Sequence, residues 1–370
     1  MPIRHGITTT SRWSRDHESV GQHPVESVVV VEDLRRIGEE AGLAAVGVAA
    51  ATPFLSTREH LEQRKAAGLH GGMGFTYRNP DRSTDPTRVL PDAQSLVVGA
   101  YGYLRAETSK QSENAGRVAR YAWEDHYGAL AVGLEAIAAE LRRAGWRAVV
   151  VADQNHLVDR EAAYRAGLGW YGKSSNLLLP NRGSWFVLGA VVTNASLPPA
   201  VPIADGCGPC RRCIDGCPTA AIIAPGVVDA RRCLAWLVQA PGTFPLWART
   251  ALGDRIYGCD DCQEVCPPNR RQIPQNVPTA NTAVAWVDLV DLLAASNEQL
   301  LDRHGRWYIA ARNPRWLRRN ALIALGNVGD ANSPEVVASL QNYLTGDDEM
   351  LRSHAEWAAG SLGLVDLVKE

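Results

Sequence analysis

The sequence predicts a multidomain protein of mixed α+β and α/β class, and three observations carry that expectation. Between Glu32 and Ala152, segments with helical spacing of apolar residues alternate with short β-rich runs. All eight cysteines of the 370-residue chain then lie between Cys207 and Cys266, in a stretch rich in Gly and Pro. Beyond it the apolar spacing is helical to the end. The expected units are a polar extension at 1–28, an α/β domain at 29–199, a cysteine-rich domain at 200–275 and a helical domain at 276–370.

Ser27–Val31 is β-rich, but Leu34, Ile37 and Ala41 predict a helix that ends at Gly42. A strand is expected over Leu43–Ala49 and an amphipathic helix over Leu55–Ala67, stopped by Gly68. Gly71, Gly72, Gly74 and the Pro80 and Pro86 dipeptides then predict a long loop, a length that usually serves function. Ser95–Ala100 reads as a buried strand. Leu130, Leu134, Ile137 and Leu141 mark one face of a helix over Tyr127–Ala144, and Trp146–Ala152 as a further strand. Strand and helix in alternation suggest an α/β domain. Near the C-terminus, Arg318–Gly326 resembles Arg352–Gly360 at an offset of 34, as two stacked helical-repeat units would.

The cysteine spacing is the strongest chemical signal. Cys207, Cys210, Cys213 and Cys217, followed by Pro218, form the C-x₂-C-x₂-C-x₃-C-P run. In that run three cysteines hold one [4Fe–4S] cluster and the fourth holds another. Cys259, Cys262, Cys266 and Pro267 supply most of a second run, whose first position falls on Ile256. Cys233 is the one thiol left to fill that vacancy. Cys207, Cys210, Cys213 and Cys266 then form one set, and Cys217, Cys233, Cys259 and Cys262 the other. A pair of zinc sites would also use C-x₂-C, but three close cysteines followed by Cys-Pro argue against it. A disulfide framework belongs to short secreted chains.

Gly167-Leu-Gly-Trp-Tyr-Gly-Lys-Ser174 matches two phosphate-loop patterns at once. Both need a strand before and a helix after. Here Asp159–Ala166 is helix-like and Asn176–Val192 strand-like, so the glycines are expected to let the backbone approach a large flat ligand. Formal net charge is −2, which announces no global attraction to nucleic acid or membrane. No stretch of 18 apolar residues and no export signal is present in the sequence. With eight thiols committed to clusters, a reducing, cytoplasmic setting is expected.

These motifs together resemble epoxyqueuosine reductase. The resemblance rests on the two cysteine runs with Cys233, on Asp153, on Asp159-Arg160, and on Arg165-Ala-Gly-Leu-Gly-Trp-Tyr-Gly-Lys173. Ala230–Cys233, Gly253–Gln263 and Arg319–Gly326 extend it to about residues 29–365. It implies a nitroreductase-like domain holding cobalamin, a ferredoxin-like domain with two [4Fe–4S] clusters, and HEAT-like helical repeats. The implied reaction reduces epoxyqueuosine to queuosine in the tRNA anticodon loop. No histidine ligand to cobalt is implied, and the chain has no D-x-H-x-x-G motif.

The resemblance aligns Asp153 with a proton donor, and implies cobalamin contacts at Arg82, Asp153, Gly169, Gly172, Lys173, Ser174 and Leu177. An electron donor of the flavodoxin or ferredoxin kind and a monomeric state are also implied. The chain departs from the family at Gln154-Asn155-His156, at Asp125-His126-Tyr127, around Arg82 and at Pro267-Pro268. These departures bear on the substrate. A cobalamin and iron–sulfur reductase of a small molecule is the alternative enzyme, and an electron carrier the non-catalytic one.

For RNA, Arg303, Arg306, Arg312, Arg315, Arg318 and Arg319 are interleaved with Trp307, Tyr308 and Trp316. Arginines neutralise phosphates and aromatics stack on bases. Arg315, Arg318 and Arg319 are the candidate RNA contacts, and a solvated helical face with core tryptophans is the competing reading.

Overall fold

Four antiparallel strands carry the first half of the chain in the computed structural model, which describes residues 30–110, 112–273 and 283–368. The expected polar extension therefore lies outside the described residues. Strands β1 (Ala45–Ala50), β2 (Ser95–Gly102), β4 (Ala148–Ala152) and β7 (Phe186–Thr193) run in the order β1-β2-β7-β4. Every pairing in that sheet is antiparallel. Alternating strands and helices had suggested α/β winding, but alternation does not fix strand direction, and each neighbour here returns the opposite way.

Residues alternate along these strands between two cores, as a pleated backbone requires. Val97 and Val191 join one apolar cluster, whereas Leu96, Val98, Ala190 and Val192 join the other. Helices α1 (Val31–Glu40) and α3 (His126–Arg143) cover the first face through Leu34, Leu130, Leu134, Ile137 and Leu141. Asp125 caps α3 by accepting from the Gly128 amide, and Arg142 and Arg143 sit at its negative C-terminal end. Helix α4 (Asp159–Arg165) presses Ala162 and Ala163 onto the second face. Helix α2 (Leu55–Ala66) buries only Leu61 and leads into the glycine-rich loop.

Two short hairpins follow, β5 (Trp170–Tyr171) with β6 (Leu177–Leu178), and β8 (Ile222–Ala224) with β9 (Val227–Val228). A second sheet joins distant parts of the chain. Its central strand β3 (Ala115–Val118) pairs in parallel with β10 (Arg255–Tyr257) and antiparallel with β11 (Trp286–Asp288). Val118 and Trp123 from the first half, and Ile256 and Tyr257 from the cysteine-rich stretch, pack in one core with the C-terminal helices. The three regions seen in the sequence are thus tied together by strand pairing and by a shared core.

Besides one-turn helices at Pro80–Ser83, Arg212–Asp215, Asp261–Glu264 and Pro267–Arg270, the chain forms α5 (Leu234–Leu237), α6 (Leu246–Leu252), α7 (Leu289–Ala294), α8 (Asn297–His304), α9 (Arg315–Val328), α10 (Pro334–Leu344) and α11 (Glu349–Ser361). The two similar nonapeptides lie within α9 and α11, which pack on each other.

This arrangement corrects the RNA expectation for Arg319. Its side chain is buried, 1 % exposed. It donates to the carbonyls of Ala240 and Gly242 at 2.7 and 2.6 Å, and to those of Leu237 and Val238 at 3.0 and 3.2 Å. The guanidinium thus closes the orphaned carbonyl end of α5, and burial lowers its pKa to about 10. Arg315 pairs with Asp348 at 2.8 Å, and Arg318 donates to Asn297 and to the Ala295 carbonyl. Trp307 is core. What stays exposed in this stretch is Arg303, Arg306, Tyr308 and Arg312. Replacing Arg319 with Gln strands several buried acceptors and is expected to cost about 3 kcal/mol of unfolding free energy. Denaturant titration checks this; an unchanged midpoint contradicts it.

Candidate active site

A cavity of about 530 Å³ opens between the first sheet and the cysteine-rich stretch. Tyr127 from α3, Arg160 from α4, Ser174–Leu177 from the β5–β6 hairpin and Met73 and Tyr77 from the glycine-rich loop form one side. Cys217, Cys233, Cys259 and Cys262 all line the other. Cys207, Cys210, Cys213 and Cys266 do not.

Buried amides seat the cysteine-rich stretch against the sheet. Asn269 is fully buried; its Oδ1 accepts from the Ser184 amide at 2.6 Å, and its Nδ2 donates to Ser184 Oγ and to the Gln263 carbonyl. Gln263 Nε2 donates to Tyr103 Oη at 2.9 Å and to the carbonyl of Ser184. Gln263 and Asn269 flank Cys266, so the lock fixes the chain that bears Cys262 and Cys266. Salt bridges from Arg117 to Asp254, Asp261 and Glu264, and from Arg255 to Asp261, hold the same segment to β3 and β10.

The thiols fall into two groups by mutual influence. Burial pushes Cys262 well above the usual thiol range, and Cys259, Cys233 and Cys217 add to it. Burial raises Cys266 to about 11, with Cys213, Cys207 and Cys210 as its thiol neighbours. No thiol of one group acts on the other in these interactions. Cys233 sits at the N-cap of α5, where the Ala235 and Trp236 amides favour its anion against the burial that raises it. The Ala221 amide donates to Cys217 Sγ at 3.2 Å. All eight cysteines are free. Among the described residues no three His, Cys, Asp or Glu side chains converge as ligands of a single ion do.

Asp153 follows β4 with φ 49° and is exposed; it is not among the cavity-lining residues, but its charge acts on Tyr127 of the cavity wall. Protein crowding it, and then Asp125, raise its carboxyl above the ordinary value. Asp159 begins α4, and its Oδ1 is buried without a partner. Tyr127, on the cavity wall, is raised by burial and then by Asp153 and Asp159. Arg160 donates to the Ser175 carbonyl at 3.2 Å. Ser175 Oγ, on the same wall, is buried and unpartnered.

The other candidates divide. Ser174 and Leu177 line the cavity. Gly167–Ser174 follows a helix and enters a hairpin, so no helix N-terminus is offered to phosphate. Gly169 and Gly172 serve that hairpin: a Cβ would stand 2.1 Å from the Leu178 carbonyl oxygen at Gly169, and 2.3 Å from Leu178 Cδ1 at Gly172. Lys173 Nζ donates to the carbonyls of Gly208 and Cys210, which braces the first cysteine loop. Arg82 lies with Asn79, Asp81 and Arg88 around a separate surface notch. Tyr127 and Arg160 carry no site role on sequence grounds; Arg160 stands in the Asp159-Arg160 pair and Tyr127 in the Asp125-His126-Tyr127 departure.

Two family models match, "4Fe-4S double cluster binding domain" over residues 206–269 and "Epoxyqueuosine reductase QueG, DUF1730" over residues 83–154. The chain is 33% identical over 344 residues to an epoxyqueuosine reductase of Bacillus cereus, covering 90% of this chain and 89% of that one. It is 36% identical over 305 residues to one of Vibrio cholerae, covering 79% and 81%. Among solved structures, it is similar to an epoxyqueuosine reductase crystallised with an epoxyqueuosine-modified tRNA-Tyr stem loop. That match has a TM-score of 0.82 and 29% identity, over 92% of this chain and 99% of that one.

Proposed function

The chain belongs to the epoxyqueuosine reductase family and is an oxidoreductase, and from that premise we propose that it reduces epoxyqueuosine to queuosine in a tRNA anticodon loop, with cobalamin in the 530 Å³ cavity and Asp153 as proton donor. One observation carries the proposal: four thiols of one set line the same cavity as Tyr127 and Arg160, beside Asp153. On this reading Cys217, Cys233, Cys259 and Cys262 hold a [4Fe–4S] cluster facing the cavity, and Cys207, Cys210, Cys213 and Cys266 hold one outside it, refilled by a flavodoxin- or ferredoxin-like donor. The sheet unit is then nitroreductase-like, and α9–α11 HEAT-like.

The cavity suits a corrin in kind. Its wall is mixed apolar and polar, and the buried Ser175 hydroxyl lacks a partner that a corrin amide could provide. Ser174, Ser175 and Leu177 would contact the group. When bound, cobalamin supplies a reducible cobalt centre able to cleave a carbon–oxygen bond. The chain's own work is then to exclude water and deliver protons. The cavity walls shield the reacting face, and Asp153, its pKa raised by crowding and then by Asp125, gives a proton to the departing oxygen.

RNA would approach over the exposed Arg303, Arg306, Tyr308 and Arg312. Arg306 donates to the Trp123 carbonyl and feels the charge of Asp125 and Glu124, and Asp125 in turn acts on Asp153.

Asp153→Asn is expected to lower queuosine formation roughly 10²–10⁴-fold while iron and corrin content stay as in the parent. Because the Asp153 pKa is raised, the acid form persists to higher pH than for a free carboxyl, and parent activity should fall as pH rises through that raised value. Nucleoside analysis of product tRNA reads both; full activity of the variant would place the proton elsewhere. If the arginine surface meets phosphates, affinity for tRNA falls steeply with salt, and replacing Arg303, Arg306 and Arg312 with Gln reduces the slope by up to about 3. An unchanged slope would remove RNA from this face.

A further inference from the structure

An iron–sulfur cluster away from water is hard to reduce, because the reduced state carries one more negative charge. Hydrogen bonds to the ligating sulfurs oppose that cost. We propose that Asn176 and Thr219 are positioning residues that tune the cluster facing the cavity, their side chains donating to its cysteine sulfurs and stabilising its reduced state. The proposal rests on the reading that Cys217, Cys233, Cys259 and Cys262 hold a [4Fe–4S] cluster.

Both residues line the same cavity as the four cysteines, Asn176 from the β5–β6 hairpin and Thr219 from the turn after Cys217. Asn176 Nδ2 donates to Cys262 Sγ at 3.9 Å, within reach of the large sulfur atom, and to Ser174 Oγ at 3.4 Å. Thr219 Oγ1 stands 3.8 Å from Cys217 Sγ. A sulfur bonded to iron has no proton to give, so the hydroxyl is then the donor. The Ala221 amide reaches the same sulfur at 3.2 Å. Donors aimed at the sulfurs of Cys217 and Cys262 suit the thiolates that a cluster needs. Among the described residues, no side-chain donor reaches the sulfur of Cys207, Cys210, Cys213 or Cys266 in this way. The two sets of thiols are therefore treated differently by the fold.

Neither side chain is needed to hold its own turn. The hairpin is closed by backbone pairing of Trp170 with Leu178 and Tyr171 with Leu177, and by the Gly172 amide donating to the Asn176 carbonyl at 2.8 Å. The carboxamide of Asn176 takes no part in that pairing. Thr219 is 5 % exposed, and Cys217 is the one partner of its hydroxyl among the described residues. Burying a hydroxyl costs desolvation that a valine of the same shape avoids, unless its partner carries charge. Reduction adds one electron and no proton to the cluster, and part of the added charge falls on the sulfurs. Hydrogen bonds strengthen as their acceptor becomes more negative, so each donor gains most in the reduced state.

Asn176→Leu and Thr219→Val remove the donors and keep similar volumes. Asn176→Asp keeps the shape but sets a negative charge against the sulfur, and Thr219→Ser restores the hydroxyl. The full chain with its clusters, free of cobalamin and tRNA, is titrated with dithionite and mediators and followed by electron paramagnetic resonance. The parent should reduce in two one-electron steps, as a double-cluster domain requires. In the Leu and Val variants one step should move to more negative potential, with the reduced-to-oxidised ratio at the parent midpoint falling roughly three- to tenfold; the other step should stay. Asp should shift that step further than Leu, and Ser should return the parent value. Leu and Val variants with both steps at the parent potentials, or an Asp variant no lower than Leu, overturn the proposal. If the variants fail to assemble clusters, the parent decides, prepared with asparagine carrying heavy nitrogen in its side chain. Coupling of that nitrogen to the reduced cluster in electron–nuclear double resonance supports the role of Asn176, and its absence refutes it. Iron content short of two clusters in the parent would instead sink the cluster reading, and the proposal with it.

Discussion

The arrangement depends on one buried contact, the pair of amides from Gln263 and Asn269 closed around Ser184. Both amide nitrogens, Asn269 Oδ1 and the Ser184 hydroxyl find partners away from water, which makes the contact specific in direction as well as favourable. Ser184 immediately precedes β7, a central strand of the first sheet, whereas Gln263 and Asn269 bracket Cys266. The lock thus sets the distance between the sheet and the thiols, and the cavity is what that distance leaves. Loss of either amide would strand buried groups and let the cysteine-bearing turns drift from the wall that carries Tyr127 and Arg160.

The second sheet and Arg319 complete the frame from the other side. Strand β3 is drawn from the first half of the chain, yet its partners are β10, just before Cys259, and β11, just before the C-terminal helices. Arg319, on α9, ties the carbonyl end of α5, whose N-cap is Cys233. The C-terminal helices therefore brace the one cysteine that lies outside both regular runs. A buried guanidinium without a carboxylate partner is costly to desolvate, and here several carbonyls at a helix end offset that cost.

Much of this was legible in the residues, and what was not has physical causes. The cysteine spacing already announces the double-cluster domain that matches residues 206–269. The long helix over Leu130–Leu141 and the strands at Ser95 and Ala148 follow from apolar period alone. Strand direction does not, because period reports which face is buried and not which way the chain runs. At glycines 169 and 172 a missing Cβ signals close approach without saying what approaches; on the Cβ side it is Leu178. Arg319 misled for a similar reason, because a run of arginines looks solvated until a neighbouring helix end claims one. Asp159 carried no signal of burial, as an acid in the first turn is ordinary in any helix.

The central claim is that electrons held by the cysteine segment are spent in this cavity on a carbon–oxygen bond of a tRNA nucleoside. It is tested most directly by mixing the reduced, fully loaded chain anaerobically with tRNA bearing epoxyqueuosine, without further reductant, and following iron–sulfur absorbance and nucleoside content together. The account predicts that the clusters reoxidise as queuosine forms, with two electrons lost per nucleoside converted. Clusters that stay reduced over unchanged epoxyqueuosine, or that reoxidise without queuosine, would contradict it.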